Sequence, residues 1–291
     1  MRRLRVGAVA LLALAGCGGP SPAPGEPAPS TTPPAVSSYV ALGDSYTSAP
    51  YVPLTAVADG CLRSDGNYPA RIADALGLSG ANAVDRSCAG ATTPDLTAGQ
   101  RTFAGARVAP QLDAVDEDTA LVTLGIGGND FGLFGDLAGS CVFPGQAGTC
   151  GEVDATRATR VLPRIGDRVT RVVRAIQAKA PDAEVVVVGY PRIVDASTSC
   201  PAQLPLDAAA RTALERVNRE LDAQLAAAAR RTRAAYVDMY AAGTGHDVCA
   251  GKDAWVNGVR TDTDRAAALH PFAAEQQAVA EKVLDLVHAG R

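Results

Sequence analysis

Tyr39-Val40-Ala41-Leu42-Gly43-Asp44-Ser45-Tyr46 is the stretch whose reading decides the fold. Its first four residues read as a strand buried on both faces. The chain then enters a turn at Gly43, so Ser45 falls just beyond the carboxyl end of that strand. There its hydroxyl would be exposed and its N–H would point into the same crevice. The competing role for Asp44 or Ser45 is an ordinary helix N-cap. Two further apolar runs, Ala120–Leu124 and Val185–Val188, read as buried strands, with weaker candidates at Ala81–Asp85 and Ala234–Asp238. Helical patterns lie between them at Tyr68–Leu78, Val161–Ala180 and Asp207–Arg233. A last helix is expected to start at Pro271, proline being favoured at the first helical position, and repeats Phe272, Val279, Val283 and Leu286. Such alternation predicts a mainly parallel sheet with helices on both faces. No internal repeat stands out, and no interior linker suggests a second domain.

Length and charge narrow the function. The chain has 291 residues, is 47% hydrophobic and carries a net charge of −4, enough apolar content for one generous core or at most two small ones, but no basic field for a nucleic-acid backbone. With aromatics at 4%, a base-stacking platform is equally unsupported. Three scattered histidines (His246, His270, His288) make a metal cluster improbable, so no metal or other cofactor is expected.

The N-terminal stretch carries an address. Arg2, Arg3 and Arg5 precede the apolar run Val6–Ala15, which is too short to span a bilayer and reads as a signal peptide over 1–16. Leu14-Ala15-Gly16-Cys17 resembles the lipobox of bacterial lipoproteins, in which the cysteine is lipidated. The expected protein is therefore exported, either anchored through Cys17 on the outer side of the cytoplasmic membrane or secreted. Residues 17–37 are dense in proline and are expected to be an extended tether, with 38–291 expected to be the folded domain. Setting Cys17 aside leaves six cysteines: Cys61, Cys88, Cys141, Cys150, Cys200 and Cys249. An even set in an exported chain favours disulfides, and none has zinc-site spacing; the pairing is open on this count.

Three more strand ends or helix starts carry unusual residues. Ser87-Cys88-Ala89-Gly90-Ala91 follows the second strand, and Gly90 would let a substrate approach the backbone. Gly125-Ile126-Gly127-Gly128-Asn129-Asp130 follows the middle strand and offers the Asn129 amide as a neutral donor. It lacks the lysine and serine of a phosphate loop and the spacing of a dinucleotide fingerprint. Leu269-His270-Pro271 precedes the last helix, where proline would hold His270 extended.

Each block alone is weak. In this order, Ser45, Gly90, Asn129 and His270 resemble the SGNH (GDSL) hydrolases, named for these four residues. The G-D-S-Y, C-x-G-A, G-I-G-G-N-D and L-H-P blocks are most similar to those of secreted bacterial lipases and esterases, as are Val186–Arg192 and Thr244–Cys249. The resemblance implies a flavodoxin-like three-layer α/β/α sandwich, Ser45 as nucleophile and His270 as base. It also implies an oxyanion hole from Ser45, Gly90 and Asn129, and disulfides Cys61–Cys88, Cys141–Cys150 and Cys200–Cys249. Many members carry an acid three residues before the histidine, where this chain has Ala267. The nearest upstream acids are Asp262 and Asp264, and a Ser45–His270 dyad with a main-chain carbonyl at Ala267 or Ala268 is the favoured arrangement.

The expected reaction is hydrolysis of acyl esters by a monomer, with a small-molecule or lipid substrate. Phe131, Leu133 and Phe134 are candidates for an acyl groove, with core packing as their competing role. The alternatives are deacetylation of acetylated glycans (or arylester cleavage) at the same site and a non-catalytic ligand-binding lipoprotein.

Overall fold

The computed structural model of the chain describes residues 36–141 and 150–289. The signal peptide, Cys17 and nearly all of the tether lie outside the described residues, as do the side chains of the Cys141–Cys150 pair. Five strands form the central sheet: β1 (Tyr39–Gly43), β2 (Ala83–Asp85), β3 (Leu121–Gly125), β4 (Glu184–Val188) and β5 (Ala235–Val237). Their order across the sheet is β2-β1-β3-β4-β5 and every pairing is parallel. This is the flavodoxin-like order, and its topological switch lies between β1 and β3, where Gly43 is level with Gly125.

Strand periodicity builds the three layers. Val40, Leu42, Val122, Leu124, Val185 and Val187 point to one face. Helices α3 (Cys150–Lys179) and α4 (Ala208–Thr232) cover that face, with Ile165, Val169, Val173, Leu221 and Leu225 in the same core. The alternate residues Tyr39, Ala41, Leu121, Val186 and Val188 point the other way. They meet Ile72 of α1 (Tyr68–Ala75) and Val279 and Val283 of α5 (Ala273–Ala289). A shorter helix, α2 (Leu133–Cys141), follows the Asn129 loop.

Several boundaries differ from the sequence-based expectation: α1 ends at Ala75 rather than Leu78, and strand ends shift by one or two residues. Pro271 does not open the last helix. It pairs with Val256 in an isolated antiparallel bridge, and α5 starts two residues later at Ala273. The residues around it are drawn into extended pairing: Phe272 N–H donates to Trp255 O at 2.7 Å, and Asn257 N–H to His270 O at 2.9 Å. Helix α3 also begins earlier than the Val161 periodicity indicates and carries Pro163 within it. Cys61–Cys88 and Cys200–Cys249 are both disulfide-bonded, the pairing that the family resemblance implies.

Candidate active site

The turn after β1 is built around a glycine. A Cβ on Gly43 would lie 2.6 Å from the Gly125 carbonyl oxygen, so the switch point closes only without a side chain there. The Gln111 amide spans the strand end, accepting from Gly43 N–H at 2.8 Å and donating to Gly43 O at 2.9 Å. Ser45 then begins a one-turn helix, Ser45–Ser48, whose N-cap is Asp44. The capping role belongs to the aspartate, which leaves the serine hydroxyl uncommitted to the backbone.

That hydroxyl meets His270. Ser45 Oγ lies 2.7 Å from His270 Nε2, and His270 Nδ1 lies 2.7 Å from the Ala268 carbonyl oxygen. With Nδ1–H donating to that carbonyl, Nε2 is the basic nitrogen facing the serine. The segment before the ring is held from several sides. Asn257 Nδ2 donates to Ala266 O at 2.9 Å and Ala267 O at 3.1 Å, Leu269 N–H to Gly258 O at 2.9 Å, and Tyr46 Oη–H to Leu269 O at 2.6 Å. Leu269 takes a left-handed φ of 59°, a conformation unusual for leucine, so these bonds hold a strained residue next to the histidine. Asp262 and Asp264 do not reach the ring; Asp262 Oδ1 instead accepts from Asp264 N–H at 3.1 Å.

The three candidate oxyanion donors sit on adjacent loops. Ser45 N–H follows directly on the cap. Gly90 has a φ of 77°, and its neighbours are committed: Ala89 N–H donates to Cys61 O and Ala91 N–H to Cys88 O. Among the described residues the Gly90 N–H has no such acceptor. The Asn129 amide donates one N–H to Ala91 O at 3.0 Å, tying its loop to that of Gly90 and leaving its second N–H. A second tie is Asp130, fully buried, which accepts from Thr93 N–H at 2.7 Å and Thr93 Oγ1–H at 2.6 Å and pairs with Arg168 at 3.0 Å.

A buried polar chain beneath the site has no counterpart in the sequence reading. Tyr190 Oη–H donates to Asp44 Oδ2 at 2.6 Å and accepts from Gly128 N–H at 2.7 Å, linking the serine turn to the asparagine loop. Burial pushes the Asp44 carboxyl up to about 7, held back by the bonds from Tyr190 and Tyr46. Tyr190 lies in the V-V-V-G-Y-P-R block at the carboxyl end of β4, so its strand-end position was the available signal. Asn257 announces itself only as the first residue of an Asn-Gly pair.

Desolvation lowers the His270 pKa from its ordinary value of 6.5, with the Ala268 hydrogen bond pulling the other way. An imidazole must be neutral to accept a proton, so activity should rise with pH through a value below 6.5 and hold steady above it. A kcat/KM profile on a neutral ester reads this limb; a midpoint above 6.5 would contradict the assignment of His270.

Ser45, Asn129 and His270 open into a cavity of about 510 Å³ whose walls include Phe103, Phe134, Leu137, Ile193, Leu214 and Leu269. Of the three residues proposed for a groove, only Phe134 lines it. Leu133 is core, and Phe131 lies under the guanidinium groups of Arg164 and Arg168 at 4.2 and 3.8 Å. His246 lies elsewhere, stacked on Trp255 at 4.3 Å with Nδ1 2.7 Å from Asp253 O.

Chemically, a hydroxyl bonded to an oriented neutral imidazole can surrender its proton as it attacks a carbonyl. Comparison with known proteins identifies the family. Residues 41–278 match the GDSL-like lipase/acylhydrolase family. Lipase 2 of Streptomyces coelicolor is 35% identical, over 97% of this chain and 95% of its own. The crystal structure of a phospholipase A1 from Streptomyces albidoflavus NA297 superposes with a TM-score of 0.71 at 32% identity, covering 86% of this chain and 99% of that one. An extracellular lipase of Streptomyces rimosus superposes with a TM-score of 0.70 at 29% identity, over 86% of this chain and 99% of that chain. The chain belongs to the GDSL-like lipase/acylhydrolase family and is an ester hydrolase of that family.

Proposed function

We propose that the protein is an exported lipase or esterase that cleaves acyl esters with apolar chains through an acyl-enzyme on Ser45. As Ser45 Oγ attacks the ester carbonyl, its proton passes to His270 Nε2 and the carbonyl oxygen becomes an oxyanion. The N–H groups of Ser45 and Gly90 and the Asn129 amide stabilise that charge. The intermediate collapses by breaking the bond to the alcohol, whose oxygen takes the proton from Nε2. Water then attacks the acyl-enzyme, giving its proton to Nε2, and the carboxylic acid leaves as Ser45 recovers its hydrogen. The observation that carries this reading is the hydrogen-bonded line from Ala268 O through His270 to Ser45 Oγ, opening on an apolar cavity.

The apolar walls favour a fatty acyl chain over an acetylated glycan, and the lipase and phospholipase names of similar proteins point the same way. Initial rates across a series of nitrophenyl esters of increasing chain length test this. The expected result is an optimum at medium or long chains, and a preference confined to acetyl esters would reverse it. Export rests on the signal-like start and on the two disulfides. Anchoring through a lipidated Cys17 predicts detergent partitioning that Cys17→Ser abolishes.

Asn129→Ala should lower kcat by roughly 10²–10³-fold with little change in KM, because its amide meets charge that develops only in the transition state. Steady-state kinetics on a soluble ester distinguish this from a binding defect, which would appear in KM alone.

A further inference from the structure

Among the described residues, three large apolar side chains are strongly exposed: Phe103 at 82%, Leu54 at 72% and Val57 at 63%. One such residue would be unremarkable. Phe103 lies on a loop at the cavity, and Leu54 and Val57 lie on a neighbouring loop that touches it. Phe103 sits at the tip of a hairpin whose arms, Gln100–Arg101 and Arg107–Val108, pair antiparallel. Leu54 and Val57 belong to the loop that returns through Arg63–Ser64. The two loops touch at Gly60, where a Cβ would lie 2.5 Å from Thr102 Oγ1 and 2.8 Å from the Ala104 Cβ.

The hairpin is anchored and its tip is turned outward. Gln100 Nε2 donates to Ala89 O at 2.8 Å, Thr102 N–H to Ala106 O at 2.9 Å, and Gly105 N–H to Thr102 O at 2.9 Å. Phe103 also lines the cavity of Ser45 and His270, and a Cβ on Gly90 would lie 2.8 Å from its ring. Behind the tip, Arg101 stands directly opposite Arg107. Like charges at a cross-strand pair are destabilising. Both side chains are exposed, and neither forms an ion pair with any described residue. On the adjoining loop Asp59 is paired with Arg63, and Asp65 Oδ1 accepts from Leu54 N–H at 3.1 Å. The hairpin is therefore apolar at its tip and cationic behind it, without an ion pair among the described residues; Arg101 Nη1 donates only to the hairpin's own Gly105 O at 3.1 Å.

That order matches the layers of an anionic lipid surface, acyl chains beneath phosphate. We infer that the hairpin Gln100–Val108 docks on lipid bearing anionic headgroups, with Phe103 entering the acyl layer and Arg101 and Arg107 at the phosphates. Docking would set the cavity mouth against the surface that supplies its ester. The inference rests on the reading of this site as an acyl-ester hydrolase.

The test uses the full chain carrying Cys17→Ser, so that no lipid on Cys17 contributes to binding. Cosedimentation is measured with vesicles of phosphatidylcholine alone and mixed with phosphatidylglycerol. Binding to the mixed vesicles is expected to fall about fivefold for each of Arg101→Gln and Arg107→Gln. Phe103→Ser should lower it by about tenfold or more. Adding Ser45→Ala to the same chain should leave binding unchanged, which separates docking from turnover. Absent binding, or binding indifferent to all three hairpin substitutions, overturns docking even if soluble esters are cleaved normally. Binding as expected by a chain that cleaves no ester supports docking and removes the hydrolase mechanism instead. A Phe103-dependent dimer in sedimentation velocity without vesicle binding also overturns it, giving the patch to a second copy.

Discussion

Ser45→Ala is expected to fold normally and to lose turnover by roughly 10⁶-fold, the scale seen when the serine of a Ser–His unit is removed. The fold should survive because the turn is capped by Asp44, whose carboxylate accepts from Tyr46 N–H at 2.9 Å. The Ser45 hydroxyl contributes only its bond to His270 Nε2. Circular dichroism and thermal melting check the first half of the prediction, and hydrolysis of a nitrophenyl ester the second. A phosphonate that labels the wild-type protein should leave the variant unmodified. Labelling of the alanine variant would place the nucleophile elsewhere.

The histidine should behave as severely, and its neighbours mildly. His270→Ala removes the proton acceptor and the later donor together, so activity should fall by a factor close to that of Ser45→Ala. Asp262→Asn and Asp264→Asn should each change kcat by less than about tenfold, against roughly 10⁴-fold for the acid of a true Ser-His-Asp triad. The reason is geometric: the atom 2.7 Å from His270 Nδ1 is the Ala268 carbonyl oxygen. His246→Ala should retain most activity, since that ring is occupied by Trp255 and the Asp253 carbonyl. A thousandfold loss in a folded aspartate variant would identify that carboxylate as a third member.

The three central strands were legible because each is buried on both faces and bounded by a turn, so their hydrophobic runs stand out without any partner; the half-buried edge strands β2 and β5 gave weaker signals. Ser45, Gly90 and Asn129 stood out as candidates for a related reason: they follow strands in an alternating chain, where loops gather at one edge of the sheet. What escaped was whatever depends on partners distant in sequence. Tyr190 lies 146 residues from Asp44, and nothing local to either announces their hydrogen bond. Pro271 looked like a helix start because local propensity favours it there, but pairing with Val256 claimed the position. Phe103 reads in sequence as an isolated aromatic; only the fold sets its hairpin against the loop of Leu54 and Val57 and its ring at the cavity.

The acceptor on His270 Nδ1 has a genetic consequence. A carboxylate partner can be deleted by one nucleotide change, whereas a peptide carbonyl is supplied by all twenty residue types. The codons for Ala267 and Ala268 can therefore drift without erasing the group that orients the base, provided the backbone path persists. Vulnerability moves from the acceptor to what shapes that path, above all Asn257, whose amide grips the carbonyls of Ala266 and Ala267. In a saturation library scored for activity, position 267 should tolerate varied side chains, position 268, which lines the cavity, small ones, and position 257 few.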